Sequence, residues 1–592
     1  MKRITPKSVA NIVHWLQQRL TEKQFLLLSS VLVGISMGIA AIVLKTFVHY
    51  IFIVATFNRG INFNFYYLAL PGIGIFLTVL AVKYLLRGKL EKGLSNIHIS
   101  IAKKNSSIPS EQMYAQILTS SITIGLGGSA GLEAPIVITG AAVGSNYAKT
   151  YHLAPKDRTL LLACGAASGI AAAFNAPIAG VLFALEVLLL DVSISSFIPL
   201  IISAATGALI SKIFLQENIL LSFQLQEAFN YKNVPYYLVL GIMAGILSTY
   251  HSRLFSKTEG LFSKSGNRIY GNVIVGGLLL AFLIFIFPSL FGEGYQSIKT
   301  LSLQKPENLL DGSILAGLKD NSWYVLGFIG ITMLVKAIAT GITLGSGGNG
   351  GNFAPSLFLG AHLGFFWSRL INLLGITRLP ESNFTIVGMA GILSGIYHAP
   401  LTAIFLIAEI TGGYTLMIPL MIVSSISYII SKYFEPFSMD TKHLAHSGQI
   451  FTDNKDKNIL ITIKASALIE RDFQIIKPES SLGELVELIA NSKRNIFPVT
   501  DENGCLLGIV LLDNVREYIF KSNLYDSIHI RDIMTQAPGY ISSSENMDSV
   551  MKKFDQTGAW NLPVVDNNIY QGFISKSTVF NRYREKLITS TL

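Results

Sequence analysis

The stretch that most restricts this chain runs from Gly125 to Pro135, GLGGSAGLEAP, because it returns in the second half from Gly345 to Pro355 as GSGGNGGNFAP. Both copies stand between long apolar runs, and an apolar helix follows each Pro, PIVITGAAVG after the first and PSLFLGAHLG after the second. Glycines let the backbone turn sharply and come close to a partner. A glycine-rich turn feeding a helix N-terminus aims free N–H groups and the positive end of the helix dipole into the turn, which is an anion site in outline. Two such turns, in corresponding positions of two halves of a membrane protein, point to a transport site at the bilayer midplane.

Composition places the chain in a bilayer. Of 592 residues, 51% are hydrophobic and 14% charged, where a soluble domain carries about 25% charged residues; mean hydropathy is +0.49. The net charge of +10 is no nucleic-acid signal, since there is no dense Lys/Arg tract and the basic residues fall in short loops between apolar runs, as positive-inside anchoring requires. Cys164 and Cys505 form no disulfide framework.

In chain order, residues 1–23 read as an amphipathic helix on the cytosolic membrane surface, with VANIVHWLQQRL carrying the pattern. They are not a signal peptide, because the apolar run from Phe25 to about Phe57 is too long for one. A second span, Tyr66 to Leu86, ends in the basic loop RGKLEKG. Residues 24–230 form a first membrane half and 231–440 a second. The first span of the second half runs into SRLFSKTEGLFSKSGNR, and if that basic loop is also cytosolic the second half is inverted relative to the first. NAPIAGVLFALE, ending at Glu186, is matched by HAPLTAIFLIAE, ending at Glu409, and GEGYQS from Gly292 stands where the first half has the Lys92-Gly-Leu-Ser95 loop. Most apolar runs are short or broken by Gly and Pro, so helices tilt or stop midway, which lipid tolerates only where the breaks are buried or line a cavity. Residues 441–464 are polar enough for a linker. Beyond it, 465–527 and 528–592 each hold an amphipathic helix and a strand, turn, strand unit, centred on Asn495 to Val510 and Asn561 to Ile574. Neither copy is long enough to bury a good core alone, so they pack as a pair.

Residues 20–592 resemble the CLC family of chloride channels and proton/chloride antiporters, with a C-terminal pair of CBS domains. Gly131-Leu-Glu-Ala-Pro135 is similar to the family's G-[KR]-E-G-P, Gly351-Asn-Phe-Ala-Pro355 matches G-x-F-x-P, and the NAP segment lies between them. The resemblance implies a polytopic α-helical membrane protein, a CLC-type inverted repeat of broken, tilted helices, followed by an α/β CBS-pair domain. It implies a homodimer with one anion pathway per subunit, multi-pass in the cell membrane, with both termini cytosolic.

The resemblance also implies residue roles. Glu133 is the protonatable gate, whose carboxylate takes the outer anion position when ionised and swings away when chloride competes or a proton neutralises it. Ser95, in Ser95-Asn-Ile-His98 where the family has S-G-I-P, donates its hydroxyl to chloride from the cytosolic side. The backbone N–H groups of Asn352 and Phe353 face the same ion, and Gly131, Leu132, Ala134 and Gly351 shape the two anion loops. Physical chemistry points the same way: weakly hydrated chloride turns over best on several partial dipoles, and the loops themselves hold no Lys or Arg. For Glu133 the alternative is an N-cap carboxylate without a transport role, set against a membrane cost of about 2.5–3.5 kcal/mol for such a group. Glu186 and Glu409 take no ion, and His98 and His398, with no second ligand at helical spacing, take no metal.

Three departures leave alternatives open. The family's inner-gate tyrosine aligns with Asp440, with Tyr433 and Phe437 nearby. Val187 stands where many family antiporters carry a second glutamate; channel-type members tend to have valine there, and some antiporters manage without the acid. The CBS ribose pattern G-x-x-[ST]-x-x-D is incomplete in Gly508 to Asn514 and in Gly572 to Thr578, so an adenine nucleotide there, with Asp513 as its candidate ribose contact, stands beside ligand-free packing as a dimer brace. The expectation is therefore a non-enzymatic chloride channel, voltage- or pH-dependent and needing no cofactor. A proton-coupled chloride antiporter is the alternative, and a CBS-regulated divalent-cation channel a distant one, since the spans offer isolated carboxylates.

Overall fold

The computed structural model describes residues 19–56, 65–188, 194–215, 228–263, 269–447, 460 and 463–591. Residues 1–18 of the amphipathic helix expected over 1–23, and much of the linker over 441–464, lie outside them. The chain forms two compact units, Met1–Ile450 and Phe451–Leu592.

The first unit is helical and polytopic. Its first half runs α1 (Glu22–Thr56), α2 (Phe65–Leu80), α3 (Ser95–Lys103), α4 (Gln112–Gly125), α5 (Glu133–Thr150), α6 (Pro155–Phe174), α7 (Pro177–Phe183) and α8 (Ile194–Leu215). The second repeats the series as α9 (Val234–Ser263), α10 (Ile269–Ile286), α11 (Tyr295–Ser302), α12 (Ser322–Gly345), α13 (Phe353–Leu373), α14 (Glu381–Tyr397), α15 (Pro400–Ile410) and α16 (Met417–Phe434), then adds α17 (Met439–His446). Among the described residues, 8 helices are long and apolar enough to cross a membrane. The 35 residues of α1, at about 1.5 Å each, exceed a hydrocarbon core of about 30 Å, so this helix tilts or protrudes. Helices α3, α7, α11, α15 and α17, of 7 to 11 residues, are too short to span.

Small residues set the packing, since lipid offers no hydrophobic drive between helices. Gly140 of α5 lies on the Gly165 carbonyl of α6, and Gly360 of α13 lies on the Gly388 carbonyl of α14, so a side chain at any of the four would strike backbone. The repeat extends to unusual backbone: α6 ends on Asn175 (φ 54°) and α14 on His398 (φ 56°), both left-handed, each followed by Ala-Pro and a new short helix. Glu186 and Glu409 then cap each other's repeat. The Glu186 carboxylate accepts from the N–H groups of Leu401 (3.0 Å) and Thr402 (2.7 Å) at the start of α15. Glu409 accepts from Ile178 (3.0 Å) and Ala179 (2.8 Å) at the start of α7.

In the second unit each copy is a capped helix and an antiparallel strand pair: α18 (Leu482–Asn491) with β1 (Ile496–Thr500) and β2 (Leu506–Leu511), then α19 (Met547–Thr557) with β3 (Asn561–Asp566) and β4 (Ile569–Ser575). Ser481 and Asn546 accept the N–H of the third residue beyond them, at 3.2 and 2.9 Å. The copies interlock. Glu470, ahead of the first copy, exchanges backbone bonds of 2.8 and 3.0 Å with Phe573 of β4, and Phe473, Ile496, Ile509 and Phe573 share one core.

Candidate functional site

The two glycine loops meet at one point. Gly131 and Gly351 exchange both backbone bonds, N–H to carbonyl at 2.8 and 2.7 Å. The loops brace each other in the same register: the Ser129 N–H donates to Thr343 Oγ1 (3.2 Å) and the Asn349 N–H to Thr123 Oγ1 (3.0 Å). Glycine is obligatory at the crossing, because a Cβ on Gly351 would sit 2.6 Å from the Ala134 Cβ and one on Gly131 would sit 2.9 Å from the Ala354 Cβ. The N-termini of α5 and α13 are thereby held together, with their unpaired N–H groups at one place.

Glu133, the first residue of α5, lies in that place and is 1% exposed. Its Oε1 accepts the hydroxyl of Tyr295, the first residue of α11. Its carboxylate also faces its own N–H and that of Ala354 in the first turn of α13. Oε2 folds over Gly131 and is buried without a hydrogen-bond partner among the described residues. A capping carboxylate is satisfied by its own helix, whereas this one accepts the Tyr295 hydroxyl of another helix and keeps one oxygen unmatched.

Two further helix N-termini adjoin. Ser95 opens α3 and Asp440 is the second residue of α17; the Ser95 hydroxyl donates to the Asp440 carbonyl at 2.6 Å. The hydroxyl expected to serve chloride is thus engaged with backbone in this structure. Asp440 Oδ2 is buried without a partner among the described residues. The Asn352 amide donates to the Met439 sulfur at 2.9 Å and its oxygen meets His251 Nε2 at 3.0 Å, which ties α13 to α17 and α9. Phe353 is flanked by the rings of Phe174 (5.6 Å) and Tyr397 (5.5 Å), the last residues of α6 and α14. Tyr433, one alternative for the inner tyrosine, is 81% exposed and plays no part. Tyr295 and Tyr397 are the tyrosines at the site, and the sequence reading had assigned neither. Tyr295 could have been found, because GEGYQS had been paired with the Ser95 loop and both short helices open on a hydroxyl.

The loops contain no Lys or Arg, yet lysines reach them from elsewhere, which corrects the purely dipolar expectation. The buried Lys336 of α12 donates to Ser129 Oγ (2.8 Å) and the Gly292 carbonyl (3.3 Å). Lys92 donates to the Gly347 and Gly348 carbonyls at 3.0 and 2.7 Å. Lys45 of α1 caps the C-terminus of α6 through the Ala173 carbonyl (2.6 Å) and faces Glu133 and Glu293. Each ammonium is bound to carbonyls or hydroxyls and balances a carboxylate.

In the second unit the Asp513 side chain is 79% exposed and pairs with Arg516 at 2.5 Å. Ser575 and Thr578, the polar residues of the second copy's pattern, instead both donate to Glu470 Oε1, at 2.6 and 2.5 Å, and Arg494 holds Glu470 Oε2 at 2.7 Å.

Residues 73–432 match the family model described as voltage gated chloride channel, and residues 465–521 and 530–585 match the CBS domain. The putative chloride channel protein ClcB-like of Ralstonia nicotianae is 29% identical over 368 residues, which cover 61% of this chain and 81% of that protein. The chloride channel protein CLC-e of Arabidopsis thaliana is 25% identical over 520 residues, 78% of this chain and 71% of that one. The voltage-gated ClC-type chloride channel ClcB of Escherichia coli is 30% identical over 335 residues, 55% and 74% of the two chains. Among solved structures, a eukaryotic CLC transporter aligns with a TM-score of 0.60 at 18% identity over 93% of this chain and 97% of that one. A slow cyanobacterial Cl−/H+ antiporter aligns with a TM-score of 0.60 at 20% identity, over 72% and 98%. At these identities the structures speak for the fold, while the family match covers most of the membrane unit; this chain belongs to the CLC, or voltage gated chloride channel, family and carries a CBS pair after its membrane unit.

Proposed function

We propose that the protein carries chloride across the cell membrane through a gated anion pathway in each subunit of a homodimer, and that Glu133 is the protonatable gate. The observation that carries this reading is the seat of Glu133. A carboxylate lies at the junction of two helix N-termini, held by the Tyr295 hydroxyl of a third helix and facing the Ala354 N–H, in a place whose dipoles suit any small anion. An anion and the carboxylate compete for it, and a proton on Glu133 removes the competitor. Ser95 and the N–H groups of Asn352 and Phe353 line the inner continuation of the path. The Ser95 hydroxyl turns from the Asp440 carbonyl to the ion as it passes. The basic loops after Leu86 and around Lys257 lie in the cytosol with both termini, so the Pro288 to Gly294 turn, which follows α10, opens on the outer side.

The primary reading is a channel, consistent with Val187. A second reading, proton-coupled exchange, is favoured by Asp440, whose carboxyl keeps one buried oxygen unmatched among the described residues at the inner end of the path. Purified protein in liposomes decides between them, with an outward chloride gradient, valinomycin and potassium setting the voltage, and external chloride and pH recorded together. Chloride efflux without matching proton movement is the expected result. Protons driven uphill at a fixed ratio to chloride would make the protein an exchanger, and absence of chloride flux would refute both. For the CBS pair, the bonding of Ser575 and Thr578 to Glu470 supports a ligand-free brace.

A further inference from the structure

One acid near the gate has no part in the reading above. Glu293 lies in the turn between α10 and α11, bracketed by the left-handed Gly292 (φ 69°) and Gly294 (φ 92°). The turn is fixed to the first glycine loop: the Gly292 N–H donates to the Gly127 carbonyl at 3.0 Å, and Lys336 bridges the Gly292 carbonyl to Ser129. The Glu293 carboxylate faces the N–H of Leu132, the residue before the gate. Its Oε1 is buried without a partner among the described residues, while the residue as a whole is half-buried, on the side that opens outward.

Two carboxyl groups therefore flank one helix turn, and each keeps a buried oxygen unmatched, Oε2 of Glu133 and Oε1 of Glu293. Two ionised carboxylates this close repel each other, and a single proton relieves both by turning one acid into a donor. Tyr295 holds the other oxygen of Glu133. Lys45 and Lys336 face Glu293 and supply positive charge. His251 and His362 face Lys336 from α9 and α13, and Tyr397 faces Glu133 from α14.

We propose that Glu293 is the outer proton partner of the gate: protonated Glu293 gives its proton to the Glu133 carboxylate, which then leaves its seat, and the Glu293 carboxylate so formed takes a new proton from the outer solution. This rests on the gating role of Glu133. It makes Glu293 a second determinant of how chloride flux follows external pH.

The test uses the full-length protein in liposomes at fixed internal pH and voltage, with chloride flux followed against external pH for wild type, Glu133→Gln, Glu293→Gln and Glu293→Asp. Glu133→Gln is expected to abolish the pH dependence. Glu293→Gln is expected to keep it but to move the half-maximal point by roughly one pH unit to lower pH, the effect of removing a neighbouring carboxylate, with Glu293→Asp between it and wild type. A Glu293→Gln profile superimposable on wild type, with Glu133→Gln pH-independent, overturns the proposal and leaves the gate standing. A Glu133→Gln profile like wild type overturns the gate and this inference with it. If Glu293→Gln does not assemble, Glu293→Asp decides alone, a shifted profile supporting the proposal and an unshifted one overturning it.

Discussion

Tyr295→Phe isolates the bond that seats the gate. The Tyr295 hydroxyl is the side-chain donor to Glu133 Oε1, and the ring belongs to the buried apolar cluster of the membrane unit, so phenylalanine keeps the packing and removes one hydrogen bond. A bond to a charged acceptor is worth about 1.5–3 kcal/mol, and each 1.4 kcal/mol is about tenfold in an equilibrium. The seated carboxylate should thus lose roughly ten- to hundredfold in its competition with the anion. The expected outcome is an external chloride concentration at half-maximal flux lowered about tenfold or more, measured in liposomes, with chloride binding by calorimetry moving the same way. In a Glu133→Gln background the carboxylate is gone, so adding Tyr295→Phe should change little. An unchanged chloride dependence in the single variant would refute the reasoning, as would an equal change in both backgrounds, which would mean that Tyr295 acts on the ion without the gate.

Gly351→Ala places a Cβ 2.6 Å from the Ala134 Cβ at the crossing of the loops; overpacking of this kind costs about 1–3 kcal/mol, so the detergent-solubilised protein should melt earlier, and an unchanged melting curve would contradict the packing. Glu409→Ala removes the cap on Ile178 and Ala179 at a cost of about 0.5–2 kcal/mol; thermal stability should fall while the flux per folded protein persists, whereas abolished flux would give Glu409 a transport role. In the CBS pair, burial pushes the Glu470 carboxyl up, but the bonds from Ser575 and Thr578 and the Arg494 guanidinium outweigh it and hold Glu470 below the usual 4.5. A lowered folded value means the stabilisation is full above about 4.5 and is lost as pH falls through the folded value. The protection factors of the Ser575 to Thr578 amides, with the intrinsic pH dependence of exchange divided out, should fall on acidification in wild type and be low at all pH values in Glu470→Ala.

The architecture was legible because the repeat is written in glycine and proline, residues whose backbone demands survive divergence of everything around them. The crossing at Gly131 and Gly351, the paired left-handed ends at Asn175 and His398, and the matched Glu186 and Glu409 all fall at equivalent positions of the two halves. What stayed hidden was supplied from a distance. Lys45 and Lys336 sit inside apolar helices, where sequence gives no sign of which carbonyl or acid will receive the ammonium. At Asp513 the motif position was visible but its partner was not: the exposed side chain turns to Arg516 three residues on. Ser95 stands out in its motif, while its bond to the Asp440 carbonyl depends on the approach of α17 from the far end of the membrane unit.

The lysines also bear on how the proposed gate would work. Dipoles alone would stabilise an arriving chloride and a seated carboxylate alike, with nothing to fix the total charge of the place. Around Glu133, however, stand two acids, Glu133 and Glu293, and two lysines, Lys45 and Lys336, so the charge of the place depends on which acid holds a proton. When both acids are ionised, adding chloride leaves a net negative charge in a low-dielectric interior, where uncompensated charge is costly. Two events restore the balance: the Glu133 carboxylate can move out to water, or it can take a proton where it stands. The first alone would make chloride entry sensitive to voltage, and the second makes it sensitive to protons. An acid at Glu293, in the turn that adjoins the seat and itself half-buried, favours the second. Replacing Lys336 by methionine should therefore weaken chloride entry most at alkaline external pH, where no proton is at hand to take the place of the missing charge; an equal effect at every pH would mean that Lys336 only braces Ser129 and Gly292.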